Sequence, residues 1–357
     1  MVRDARVKRL AEILVRHSIQ AEKDEVVLIR ADEAGKPLAL EVFRQTLAAG
    51  AHPHLSVQFE EADEIFLRHA APHQLQYFPR LRLLEVKNID AYIAIRAPLN
   101  LKGLSRTSPE SQGERARVLK PIQEQIMTKV RWLIVNFPTQ ALAQEAGMSL
   151  EEYQDFLYRA CNQDWKAQSQ RMTRVARRLE KGDRVRLVGK DTDISFRVRG
   201  RKFVVAAGEN NMPDGEVFTT PWESSVDGRI FFDFPALYGG REIEGVRIWF
   251  EKGRVVKATA EKNEKYLHAM IGVDAGARRV GEFGIGLNKR ITRFSRDILF
   301  DEKIGGTIHL ALGRAYPETG GINKSAIHWD LIKDLRHSGK FYLDGKLIQK
   351  NGKFLIT

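Results

Sequence analysis

One cysteine, Cys161, stands in a chain of 357 residues. A single thiol permits no intramolecular disulfide and no thiolate cluster of the kind that builds structural zinc sites. Long apolar runs are missing too, since no charge-free stretch approaches the ~18–20 residues that span a bilayer. The opening residues, Met1-Val2-Arg3-Asp4-Ala5-Arg6, pass straight into a charged amphipathic pattern without the apolar segment of a signal peptide. The expectation is a cytoplasmic protein with no membrane span, in which the sequon at Asn323 carries no glycan. Common catalytic signatures are absent as well. No His-Glu-x-x-His pair, Gly-x-Ser-x-Gly elbow or Gly-x-x-x-x-Gly-Lys loop occurs, and 281–286 has the wrong glycine spacing for a dinucleotide fingerprint. Cys161 lies in a helical pattern and reads as packed rather than nucleophilic.

Acidic residues are outnumbered, 46 against 58 lysines and arginines, and the net charge of +12 raises nucleic acid as a partner. The basic clusters do not support it. Arg171, Arg174, Arg177, Arg178 and Lys181 share a segment with the apolar stripe Met172, Val175, Ala176 and Leu179, so they read as a solvated helix face. Arg197, Arg199, Arg201 and Lys202 alternate with Ile194, Phe196 and Val198, as on one face of a half-buried strand. With no aromatic-interleaved basic stretch, zinc-finger spacing or helix-turn-helix, nucleic acid is an unlikely main partner.

A chain this long exceeds the usual single-core limit, and two textures divide it. Up to residue 181, short apolar runs at 26–29, 54–59, 92–95 and 132–135 alternate with helical segments, the first marked by Val7, Leu10, Ala11 and Leu14. Continuous apolar strands between helices predict an α/β domain with a mostly parallel sheet. Beyond Gly182 come short strands at 184–188, 194–198, 246–250 and 254–258, then strong turn signals at Asp344-Gly345 and Asn351-Gly352. The expected organisation is an N-terminal α/β domain, 1–181, and a β-rich α+β domain, 182–357, carrying a metal site.

That site is expected from the region 282–330, where metal-binding residue types recur among glycines and apolar runs. Glu282 interrupts the small and apolar stretch 281–287, where a carboxylate is costly unless paired or metal-bound, and Glu216 precedes Val217-Phe218 in a similar setting. His309 and His328 sit in apolar, glycine-bounded segments near carboxylates. On an extended backbone His328 and Asp330, two apart, project to the same side. Carboxylates with imidazoles suit zinc, cobalt or manganese, and the set Glu216, Glu282, His309, His328 and Asp330 is large enough for two divalent ions. His17, His52, His54, His69, His73, His268 and His337 read as ordinary surface or core residues.

The segments 212–219, 281–282, 299–302, 309–313 with Tyr316, and 328–330 resemble, in order, those of the metallo-aminopeptidases typified by aminopeptidases T and S. The resemblance implies a two-metal exopeptidase with Glu216, Glu282, His309, His328 and Asp330 as ligands, Glu282 bridging. It implies that Tyr316 is the catalytic tyrosine and that Glu302 is functional, as ligand or base. It further implies a homodimer acting on short peptides with a free N-terminus. Another metal-dependent amidase or hydrolase on the same scaffold is the rival reading, followed by a basic nucleic-acid-binding protein with a structural metal.

Overall fold

The apolar runs of the first half do build a parallel sheet. In the computed structural model, which describes residues 4–238 and 240–355, five strands lie in the order His52–Gln58, Val26–Asp32, Ala91–Arg96, Arg131–Asn136 and Asn211–Met212. Every neighbouring pair is parallel. Val27, Ile29, Ile93, Leu133 and Val135 are fully buried, as residues of a sheet covered on both faces must be. Positions 1–3, 239 and 356–357, which include the start of the first expected domain and the end of the second, lie outside the described residues. No helix among the described residues is long and apolar enough to cross a membrane.

The chain divides into two compact units, Met1–Gln163 with Gly208–Pro213, and Asp164–Ala207 with Asp214–Thr357. The expected boundary at Lys181-Gly182 therefore falls inside the second unit. Its cause is local: the helical pattern from 149 to 181 is two helices, Leu150–Cys161 and Trp165–Glu180. Ser149 caps the first with a capping box. Asp164 caps the second by accepting a hydrogen bond from the Ala167 amide, and that helix buries Trp165, Met172, Ala176 and Leu179. The segment 208–213 returns to the first unit because Asn211–Met212 extends its parallel sheet at Ile134 and Val135.

The second unit contains an eight-stranded sheet, antiparallel throughout, and a five-stranded antiparallel sheet that carries the candidate site. Its order is His328–Asp334, Thr307–Gly313, Val280–Gly286, Glu216–Thr219 and Val204–Ala206. The alternation of the pleat assigns its faces. Phe283 is fully buried and meets Phe196 and Phe341 of the eight-stranded sheet edge-on, with ring centroids 4.9 Å and 5.9 Å away. Its neighbours Glu282 and Gly284 accordingly face the other way. The expected fold class, α/β with a parallel sheet followed by a strand-rich domain, is the one observed.

Candidate metal centre

Strand register, rather than proximity in sequence, gathers the candidate ligands. His309 lies opposite Gly284 and Ile332, Ala311 opposite Glu282 and Asp330, Gly313 opposite His328, and Gly286 opposite Glu216. Directly paired residues and residues two apart share a face, so Glu216, Glu282, His309, His328 and Asp330 all project from one side of the sheet. Gly284 makes room for this. A methyl group at Gly284 would sit 2.0 Å from the His309 imidazole, which lies across that strand.

Two groups of ligand atoms result, Glu216 with Glu302 and His309, and Glu282 with His328 and Asp330, the atoms of each lying within 4.8 Å of one another. Glu282 touches both. Its Oε1 is 3.2 Å from His309 Nε2 and its Oε2 is 3.2 Å from His328 Nε2. Glu216 Oε2 lies 3.5 Å from His309 Nε2, and Asp330 Oδ1 lies 3.7 Å from His328 Nε2. Each imidazole is oriented from behind, His309 Nδ1 against the Glu302 carbonyl at 3.2 Å and His328 Nδ1 against the Arg314 carbonyl at 2.7 Å. Nδ1–H donation to a carbonyl leaves Nε2 as the lone-pair nitrogen facing the carboxylates, the arrangement that orients histidine ligands.

The electrostatics suit cations. Glu216 Oε2 and Asp330 Oδ1 are buried with no hydrogen-bond partner, a cost that coordination would remove. Burial pushes the Glu216 carboxyl well up and raises Asp330 to about 6, only partly opposed by the neighbouring cations. Burial acts the same way on Glu282, but hydrogen bonds and charge from His309 and His328 outweigh it and hold the carboxyl down at about 2. Burial would lower both imidazoles, yet the carboxylates around them prevail, lifting His309 to about 10 and His328 to about 9. Without an ion, protons on the imidazoles balance the site. The donor set therefore fits divalent ions.

Tyr316 reaches the same face from a loop. Its ring lies 5.0 Å from the His328 ring and 5.5 Å from that of Phe218, between centroids. The loop is pinned by a chain of hydroxyls in which Thr319 Oγ1 donates to Thr220 Oγ1, 2.7 Å away, and Thr220 Oγ1 donates to the Gly281 carbonyl beside Glu282. Burial, followed by the charges of Glu282, Asp330, Glu302 and Glu216, raises the phenol far above its usual range, so it stays protonated.

Lys303 was missed by sequence reasoning. It is fully buried, with Nζ 3.6 Å from Glu216 Oε1 and in contact with the Glu302 carboxylate. These carboxylates outweigh its burial and raise its pKa, so it is a permanent cation behind the first group. Its signal was present: a lysine followed by the uncharged stretch Ile304-Gly305-Gly306 is costly to bury without paired carboxylates. Asp301 of the same motif does not join the site; it accepts from the Ser295 amide at 2.7 Å and hydroxyl at 2.8 Å. The seven remaining histidines are absent from both ligand groups.

A buried carboxylate and imidazole cluster on one face of an antiparallel sheet is a donor set able to hold divalent metal. The sequence matches the thermophilic metalloproteases (M29) over residues 3–354, and the chain belongs to that family. It is thus an enzyme, a hydrolase that acts on peptide bonds with a divalent metal. Aminopeptidase 2 of Geobacillus stearothermophilus is 27% identical over 397 aligned residues, covering 97% of this chain and 94% of that protein. Among solved structures, AmpT from Thermus thermophilus superposes with a TM-score of 0.87 at 23% identity, covering 98% of this chain and 99% of its own. The 2,5-dihydroxypyridine dioxygenase of Pseudomonas putida follows the same fold at a TM-score of 0.62 and 15% identity, covering 100% of this chain and 99% of its own. Both likenesses concern fold alone, and the second warns that this scaffold does not dictate its chemistry.

Proposed function

We propose that the chain is a two-metal aminopeptidase that releases the N-terminal residue of short peptides, with Glu216, Glu282, His309, His328 and Asp330 as ligands. The observation that carries this reading is Glu282, whose two oxygens each face a different imidazole at 3.2 Å and so join the two ligand groups. Charge supports two ions: with neutral imidazoles, four carboxylates, Glu216, Glu282, Glu302 and Asp330, face only the permanent cation Lys303. Divalent ions held there would polarise the scissile carbonyl and make water acidic enough to react near neutral pH.

The chain's own groups do the rest. Tyr316, kept protonated by burial, donates a hydrogen bond to the oxygen that gains charge as the carbonyl is attacked. Glu302, held by Lys303, serves as the base that takes the water's proton and returns it to the leaving amine. A second ion would offer a coordination position to the substrate's free α-amine, so a free amino end is expected. The resemblance stated above adds a homodimer, to be checked by sedimentation.

Comparing a short peptide with its N-acetylated form by mass spectrometry tests the direction of attack, with chelated and metal-restored enzyme alongside. Stepwise loss from the free amino end, blocked by acetylation and by chelator, is expected. Equal cleavage of both peptides would favour a general amidase, and full activity in chelator with no bound metal would remove the metal reading.

A further inference from the structure

The second unit has a cavity of about 720 Å³ whose lining includes none of the candidate metal ligands. That volume lies within the range of small-molecule sites. Its charge is one-sided. Arg171, Arg174 and Arg178 on the helix Trp165–Glu180 line it together with Lys289 and Lys353, and no aspartate or glutamate does. Arg336 also lines it but is satisfied by a fork to Asp334 and a bond to the Thr292 carbonyl. The other five cations have no ion-pair partner among the described residues, and Arg178 Nε is buried without an acceptor.

Spacing gives this charge a shape. Arg171, Arg174 and Arg178 are three and four residues apart, so they share one helix face and extend over about 10 Å of its axis. Guanidinium forks in a row match the oxygens of successive phosphate groups, since each fork can donate two parallel hydrogen bonds. The cavity is not polar throughout. Val175, Leu179, Leu287 and Phe354 also line it, apolar side chains suited to a flat, uncharged portion of the ligand.

We propose that this cavity is a binding site, separate from the metal centre, for a compact organic polyphosphate of the nucleoside triphosphate class. Phosphates lie along the three arginines, Lys289 and Lys353 close the opposite side, and the planar portion rests on the apolar side chains. The basic helix face, which reads from sequence as merely solvated, is in this view a ligand surface. Its restricted volume selects a small polyanion over a nucleic-acid strand.

The test titrates ATP, inorganic tripolyphosphate and a single-stranded oligonucleotide into the metal-loaded enzyme by calorimetry at fixed ionic strength. The same titrations are made on Arg171→Glu/Arg174→Glu, whose positions are exposed, and on Glu282→Gln. One ATP per chain is expected, with weaker binding of tripolyphosphate. The double variant should lose about tenfold or more in ATP affinity while keeping its circular dichroism, metal content and peptidase turnover, and Glu282→Gln should still bind ATP. Unchanged affinity in the double variant, or loss of binding in Glu282→Gln, would overturn the proposal by placing the ligand elsewhere or at the metal centre. Absence of ATP binding at millimolar concentration, or an oligonucleotide binding more tightly than ATP, would overturn it as well.

Discussion

The two ligand groups share Glu282 as neighbour yet differ in what surrounds them. The group of Glu216, Glu302 and His309 is the deeper in that His309 is completely buried and Glu216 is buried, although Glu302 is as open as any ligand of the other group, and a permanent cation, Lys303, lies on its carboxylates. The group of Glu282, His328 and Asp330 has no lysine, is slightly open at His328 and Asp330, and has the Tyr316 ring beside it. A cation already present weakens the field on an incoming ion, whereas an opening admits substrate. If each group holds an ion, as proposed above, the contrast predicts a division of work: the lysine-backed group binds its ion less tightly, and the group beside Tyr316 meets the peptide.

Removing the shared residue should erase that contrast. Glu282→Gln keeps the size of the side chain but withdraws the charge from both imidazoles, so both ions should be lost. Turnover should fall beyond the ~10²–10³ that one oxyanion donor contributes. Elemental analysis together with kcat measures it, and a variant retaining two ions would deny Glu282 its joining role.

Next in size is a change confined to the open group. Tyr316→Phe removes one hydroxyl and should lower kcat by about 10²–10³ while metal content stays whole and KM moves less. If the tyrosine only packs against Phe218 and His328, kcat would remain within about threefold of the parent.

Gly284→Ala targets the deep group instead. The added methyl, 2.0 Å from His309 ring atoms, must displace the imidazole, because the strand behind it is fixed on both sides. Metal affinity of that group should fall by about 10–100-fold, as when the support of a ligand is lost, with the open group much less affected. Competition with a chromophoric chelator would show two unequal affinities; an equal fall in both would refute independent groups.

The smallest expected effect is graded and comes from pH. Without metal, His309 and His328 are raised to about 10 and about 9, so below those values each keeps a proton that an ion must displace. Affinity should therefore decrease as pH falls, by about tenfold per unit for each imidazole. The deep group, with its more basic imidazole and its lysine, should empty first on acidification. Protons released on metal uptake, measured in buffers of different ionisation heat, should reach two or more per chain, because the raised Glu216 carboxyl gives up its proton along with the imidazoles; no release at neutral pH would mean the imidazoles are already neutral.

Much of this site could be read before any strand was placed. Glu282 and Glu216 betrayed themselves by sitting in apolar sequence where an unpaired carboxylate is costly, and His328 and Asp330 by the two-residue period of a strand. The same local logic gave the parallel sheet of the first unit, because strands buried on both faces must be continuously apolar. Lys303 was missed although the uncharged stretch after it hinted at a paired lysine, because its partners are set by the fold. Its environment is made by Glu216, some ninety positions earlier, as well as by adjacent Glu302. The difference between the expected boundary at Lys181-Gly182 and the division of the chain at Gln163-Asp164 has a similar origin. Periodicity recognises a helix such as Trp165–Glu180 but carries no information on which core receives its apolar face.

By itself, then, the amino-acid sequence determined the candidate residue types for the chemistry and the family to which the chain belongs. Tertiary structure decided which of them meet. Antiparallel pairing sets Gly284 opposite His309, Ala311 opposite both Glu282 and Asp330, and Gly286 opposite Glu216. A slip of one residue in any of those pairs would turn a ligand to the opposite face. Register is a property of strands far apart in the chain, held by packing such as that of Phe283 against Phe196 and Phe341, and no single segment encodes it.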